Sequence, residues 1–259
     1  MREFLSSPQN PKIRGFCALR DRKGRKTQHA FLVEGDKMVR EALASDFRVQ
    51  ALILREDRQH EDFHVPAGMP VYVLPDRVFA SLSDTRTPQG TAAVVSAPEQ
   101  APGGFVPGET LLGNRLLALD GVQDPGNVGT ILRTADAAGL DGVLLGPTCA
   151  DVFSPKVLRS TMGSIFRMKL SFPEDLAAAL SALGREGYSI LSSQLDGTPF
   201  YDRQQVSARW VLIIGNEGNG ISPAVRAAAT HRLRLPMRGG AESLNAAVAA
   251  GIMMYDLTK

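Results

Sequence analysis

From about residue 116 to the end of the chain, short apolar runs alternate with helical patterns, and this alternation restricts the fold more than any other feature. Runs at 116–119, 143–145, 168–171, 188–191, 211–214 and 232–235 read as strands; helical patterns start near Asn127, Ser154, Pro173, Ser222 and Glu242. Repeated strand–helix–strand units predict an α/β fold, a mainly parallel sheet covered by helices. The last helix has Leu244, Val248, Ile252 and Tyr255 on one stripe and Ala246, Ala249, Ala250 and Met253 on the opposite side. A helix apolar all round is buried all round, either enclosed in one subunit or covered by its sheet on one face and a second subunit on the other. A homodimer is therefore expected, with full enclosure as the plainer alternative.

The part before this alternation is different. At roughly 150 residues per domain, the 259-residue chain predicts two domains. Strand signals at 31–33, 49–54, 71–74 and 91–95, a helix opened by Asp36 and a helical pattern at 77–82 describe a small α/β domain over residues 1–96. Residues 97–110, six of fourteen being Pro or Gly, read as a linker, which leaves 111–259 as the second domain.

A composition of 44% hydrophobic and 22% charged residues is that of a globular chain. The longest nearly apolar stretch, 246–255, is too short to span a membrane, and the amino terminus lacks a secretory apolar region, so a cytoplasmic protein is expected. Cys17 and Cys149 form no CxxC pair and read as small buried hydrophobes. His60 and His64 sit in a polar stretch without cysteine partners, and no metal site is expected.

The net charge of 29 − 27 = +2 hides an asymmetry. Residues 1–26 carry 8 − 2 = +6, residues 27–110 carry 7 − 12 = −5, and residues 111–259 carry 14 − 13 = +1. A short basic amphipathic helix fits the first segment, and Arg20, Arg22, Lys23, Arg25 and Lys26 form a candidate phosphate-contacting patch. A solvated helix end is the plainer alternative.

The usual chemical signatures are missing: no GxGxxG after the first strand of the second domain, no phosphate loop, no HExxH and no GxSxG. Three other segments stand out. On the helix from Asn127, Val128, Ile131, Leu132, Ala135 and Ala138 form a buried stripe; Arg133 lies opposite, with Gly129 one turn earlier leaving room for a phosphate or sugar. Three glycines of Gly215-Asn-Glu217-Gly218-Asn-Gly220 follow an apolar strand, at the end where open parallel sheets take ligands. A second glycine-containing loop from Leu235 leads into the last helix, where Ser243 and Asn245 suit a cap or a contact with ligand. An exposed arginine, a tight turn and a helix cap are the respective plainer readings.

In this order and spacing, NVGTILRTA, IIGNEGNGIS and LPMRGGAESLNAAVAAG resemble the three motifs of the SpoU (TrmH-like) RNA methyltransferases of the SPOUT superfamily. The amino-terminal FLVEGDKMVREAL is similar to the small, ribosomal-protein-like substrate-binding domain that precedes the catalytic domain in many members. The resemblance implies a deep trefoil knot in a SPOUT domain, an obligate homodimer, S-adenosylmethionine (AdoMet) as cofactor without metal, and methylation of a ribose 2′-hydroxyl in structured rRNA or tRNA. It implies a cofactor site at Gly215, Leu235 and Leu244, joined by Ile214, Gly220, Met237 and Asn245. It also implies a catalytic role for Arg133, with Asn127, Glu217, Ser243 and Asn245 in support. Because a guanidinium is a poor proton acceptor, Arg133 is expected to orient phosphate and stabilise a developing alkoxide. Ala246-Ala247 depart from the third motif and are expected to alter packing more than chemistry. A non-catalytic RNA-binding protein of the same fold is the alternative; a nucleotide-dependent oxidoreductase is disfavoured by the missing glycine fingerprint.

Overall fold

A computed structural model of the chain describes residues 2–60, 62–98 and 113–259. It divides into two compact units, residues 1–99 with 151–167 and residues 100–150 with 168–259. The predicted linker at 97–110 lies, beyond its first two residues, outside the described residues.

The first unit begins with β1 (Arg2–Phe4), α1 (Pro11–Ala18), α2 (Arg22–Gln28), β2 (Ala30–Glu34) and α3 (Asp36–Leu43). It continues with β3 (Val49–Arg55), β4 (Val71–Leu74), α4 (Asp76–Leu82) and β5 (Thr91–Ser96). The sheet order is β1-β4-β3-β5-β2, with β1, β4 and β3 parallel and β5 antiparallel to β3 and β2. The single basic helix of the sequence reading is two helices, because Asn10 caps α1 while α2 ends at His29, a left-handed residue with φ 47°. Asp36 does not cap α3: Gly35, at φ 97°, holds that place, and the Asp36 carboxylate accepts from Arg58 and Thr91.

In the second unit, β6 (Arg115–Asp120), α5 (Pro125–Ala137) and β7 (Gly142–Leu145) follow one another. The chain then forms α6 (Pro155–Thr161) before β8 (Lys169–Ser171). After these come α7 (Leu176–Arg185), β9 (Ser189–Pro199), β10 (Trp210–Gly215), α8 (Pro223–Ala227), β11 (His231–Arg234) and α9 (Ala246–Leu257). All pairings of the sheet, ordered β11-β9-β10-β6-β7-β8, are parallel. Its central strands are almost wholly buried, as strands covered on both faces must be.

Residues 151–167, including α6, group by their contacts with the first unit. The reason is aromatic packing and charge. Phe153 stacks on Phe31 with centroids 4.7 Å apart, Phe166 meets Phe47 edge to face at 5.3 Å, and Arg159 pairs with Asp84 at 2.8 Å.

The last helix differs from its expectation in two ways. It starts at Ala246, not near Glu242, because the Asn245 side chain accepts from the amides of Ala247 and Val248 and fixes the first turn there. It is not enclosed. Ala247, Ala250, Met253 and Met254 are buried, whereas Val248 (51%), Ile252 (38%) and Tyr255 (53%), with Leu244 (39%) ahead of them, face solvent. Among the described residues no helix is long and apolar enough to cross a membrane.

Candidate active site

Three loops at the carboxyl ends of β6, β10 and β11 converge through one polar network. Asp124 caps α5 by accepting from the Asn127 amide at 2.8 Å, which turns the Asn127 side chain out at the helix start. The Glu217 carboxylate accepts from the backbone amides of Gln123 and Asp124, each at 3.1 Å, and from Asn127 Nδ2 at 3.0 Å. Asn245 Nδ2 then donates to Asn127 Oδ1 at 2.9 Å while its own Oδ1 caps α9. Glu217, Asn127 and Asn245, far apart in sequence, thus form one chain of hydrogen bonds joining β10 to the starts of α5 and α9. Burial alone would raise the Glu217 carboxyl, but the bonds from Asn127, Gln123, its own backbone and Asp124 outweigh it and hold the group below the usual carboxylate range.

Backbone geometry shapes the glycine loop. A Cβ at Gly215 would meet the Gly220 carbonyl carbon at 2.4 Å, so only glycine lets the loop close on itself. Gly220 has φ +66° and pairs with Asn216 in an antiparallel bridge. Asn216, which the sequence reading passed over, holds the loop: its Oδ1 accepts from Gly218 and Asn219 amides and its Nδ2 donates to Gly121 O at 2.8 Å. Asp120, also passed over, accepts from the Ser222 amide at 2.7 Å and fixes the loop's exit. The Asn directly after Gly215 is a local signal for this Asx-type turn, whereas nothing local marks its bond to Gly121.

Other expected residues fall outside the network. Arg133 is exposed on α5, and its guanidinium has no partner among the described residues. Gly129 is buried, so the room beside Arg133 is not of its making. Ser243 is exposed and makes no hydrogen bond to Asn127 or Asn245. Ile214 is buried at the end of β10; Leu235 and Met237 are half-buried and Leu244 exposed in the loop leading to α9. Cys149 is half-buried; burial pushes its thiol up, and its Sγ donates to Leu119 O at 3.2 Å. Cys17 is half-buried as well.

The basic patch of the first unit is divided. Arg25 is 7% exposed, and its guanidinium donates to Leu19 O, Arg20 O and the Asp151 carboxylate, the last at 2.8 Å. It is a buried internal clamp and has to be removed from the candidate phosphate face, because three acceptors already use its donors. Arg20 donates to Ser81 O at 3.2 Å, leaving Arg22, Lys23 and Lys26 exposed on α2. His60 and His64 are exposed, and no group of three or more metal-ligating side chains converges among the described residues.

Residues 114–255 match the model of the SpoU rRNA methylase family, and residues 10–93 that of the MRM3-like substrate binding domain. The chain is 37% identical over 98% of its length to 98% of a Bacillus subtilis protein named 23S rRNA (guanosine(2553)-2′-O)-methyltransferase RlmP. It superposes with a TM-score of 0.86, at 28% identity, on the AdoMet-bound rRNA methyltransferase from Sinorhizobium meliloti, covering 98% of this chain and 97% of that one. It also superposes with a TM-score of 0.83, at 25% identity, on the SpoU methyltransferase AviRb from Streptomyces viridochromogenes in complex with AdoMet, covering 96% and 97% of the two chains. Three motif loops drawn together by Glu217, Asn127 and Asn245, and likeness over the whole chain, lead to one assignment: the chain belongs to the SpoU rRNA methylase family.

Proposed function

We propose that the network of Glu217, Asn127 and Asn245 is where the protein aligns a ribose 2′-hydroxyl of ribosomal RNA for methylation by AdoMet, and that the target is a nucleotide of 23S rRNA. AdoMet-dependent RNA 2′-O-methylation is the activity of the family to which the chain belongs. The choice of 23S rRNA rests on the Bacillus subtilis relative, a guanosine 2′-O-methyltransferase by name, which matches both units end to end.

The loops suit AdoMet. Beside Gly220, Gly239 and Gly240 there is open space where a Cβ would stand, so a ligand can come close to the backbone of both loops. Gly215, Leu235 and Leu244, with Ile214, Gly220 and Met237, would hold it, and Asn245 would join them from the α9 cap. AdoMet supplies a methyl already activated on a sulfonium. What the protein must add is alignment. Glu217 fixes the Asn127 amide, Asn127 fixes Asn245, and the start of α9 is thereby held to the start of α5. Arg133, exposed on α5, orients the phosphate beside the target ribose and stabilises the alkoxide as the proton leaves. Ser243 contributes when the loop closes on RNA.

Three further features complete the reading. The stretch after β10 threads into a trefoil knot; the stripe of Val248, Ile252 and Tyr255 on α9 is covered by a second copy of the chain. The first domain, residues 1–96, recognises the RNA, with Arg22, Lys23 and Lys26 on its exposed side. Residues 97–110 link it to the catalytic domain at 111–259. Transfer of tritiated methyl from AdoMet to a 23S rRNA transcript, followed by mapping of the 2′-O-methyl position, tests the proposal. A protein that binds AdoMet and the transcript yet transfers nothing would sink it in favour of a non-catalytic RNA-binding role.

A further inference from the structure

The edge strand β11 carries a charge pattern that the catalytic motifs do not account for. In His231-Arg232-Leu233-Arg234, Leu233 is 2% exposed, whereas Arg232 and Arg234 are exposed, as alternation along a strand requires. Two residues of strand put their Cα atoms about 6.7 Å apart on one side. Four residues further on, in the loop that runs to the Asn245 cap, Arg238 is exposed as well. None of these three guanidinium groups has an ion-pair or hydrogen-bond partner among the described residues. Their neighbour Arg226 differs: it is held by Asp196 at 3.0 Å.

We infer that Arg232, Arg234 and Arg238 form a track for the RNA phosphate backbone, leading along the sheet edge into the ribose site. This deepens the proposed function and rests on it. Three features support the inference. The three guanidinium groups make no ion pair among the described residues, so their donors are available to phosphate. They line the chain that leads directly into the loop before α9, so an RNA strand held by them is delivered to the network of Asn127 and Asn245. They lie on the edge of the sheet, where among the described residues β11 has a partner strand only on the β9 side. Arginine suits the task because its planar fork meets two phosphate oxygens at once. These are positioning residues for the RNA: Arg232 and Arg234 stand on β11 ahead of the cofactor loop, and Arg238 lies within that loop, next to Met237.

Charged edge strands also discourage edge-to-edge aggregation. The two roles part in a salt titration. Binding of a 23S rRNA transcript is measured for the full chain by fluorescence anisotropy across a range of salt. Each phosphate contact contributes about 0.7–0.9 to the slope of log K against log salt. The double variant Arg232→Ala/Arg234→Ala is expected to lower the slope by about 1.4–1.8 and to weaken binding about tenfold or more near 0.1 M salt. AdoMet affinity should stay within about twofold, and methylation should show a raised KM at nearly unchanged kcat. Arg232→Lys/Arg234→Lys, which keeps the point charges, should restore most of the slope. Lys169→Ala/Arg185→Ala, removing two exposed cations elsewhere on the same unit, is the control. A slope unchanged in Arg232→Ala/Arg234→Ala, a fall equal to that of the control, or increased aggregation with an unaltered slope would each overturn the track. These results are distinct from failure of the proposed function, in which the wild-type protein itself transfers no methyl to the transcript.

Discussion

In the first unit Arg25, Arg55, Arg58, Arg159 and Arg167 each pair with a carboxylate, whereas in the second Arg133, Arg232, Arg234 and Arg238 pair with none among the described residues. The second unit does have paired arginines as well, Arg203 with Asp256, Arg209 with Glu186 and Arg226 with Asp196. The central carboxylate of the site, Glu217, is bonded to amides and not to a cation. The difference separates two uses of charge. A cation paired inside a unit holds chain segments together and has no capacity left for a polyanion. A cation left unpaired beside a loop is available to RNA, and a carboxylate satisfied by amides can position neutral groups without neutralising the arginines nearby.

Breaking the clamp in the first unit should have the largest effect. Arg25→Ala leaves Asp151 and two backbone carbonyls without their donor and is expected to cost about 3–5 kcal/mol of stability, read by urea denaturation. Arg133→Ala should do the reverse, with stability changed by less than about 0.5 kcal/mol. Its methyl transfer should fall about 10²–10³-fold while calorimetry still detects AdoMet binding. Near-normal turnover in this variant would remove Arg133 from its role. Val248→Lys with Ile252→Lys places two charges in the exposed stripe of α9, and sedimentation should then find a monomer where the proposed pairing expects a wild-type dimer. A wild-type protein that sediments as a monomer would refute the pairing of copies.

Smaller effects sharpen the contrast between amide-held and cation-held carboxylates. Because the folded-state pKa of Glu217 is lowered, its contribution to stability is fully present above the ordinary carboxylate range and is lost as pH falls through the lowered value. From pH 8 to 5 this group should therefore add no slope to stability or AdoMet binding; below that, the wild type should lose more than Glu217→Gln, which keeps one acceptor oxygen and does not titrate. Parallel pH profiles of the two proteins would refute the network's dependence on the ionised group. Smallest of all, Arg22→Ala/Lys23→Ala on α2 should leave the melting temperature unchanged and lower the salt slope of rRNA binding by about 1.4–1.8. An unchanged slope would make that helix end merely solvated.

Most of the second unit's architecture was legible in its periodicity. Strand segments of four or so β-branched and apolar residues, such as 211–214, fall within strands of the structure because burial on both faces requires that composition. Boundaries were less legible. Asn245 moved the start of α9 by four residues from Glu242, since a side-chain cap outweighs the helical propensity of the residues before it. Of the site, Asn127, Glu217 and Asn245 were picked out in the sequence and meet in the structure. Asn216 and Asp120 were not, because their bonds go to backbone groups of Gly121 and Ser222 that carry no sequence signal.

The sequence by itself determined the parallel sheet, the order of the three motif loops and the residue types in them, because side-chain periodicity and backbone preference are local. Tertiary structure alone decided which charges were already taken. Arg25 and Arg22 lie three residues apart in one basic run, yet one is buried against Asp151 and the other faces solvent. A hydrogen bond between residues 126 positions apart depends on where folding brings the partner, and composition cannot encode that. The same holds for α9: its sequence is apolar on every side, and only packing determined that Ala250 and Met253 lie inside while Val248 and Ile252 remain outside.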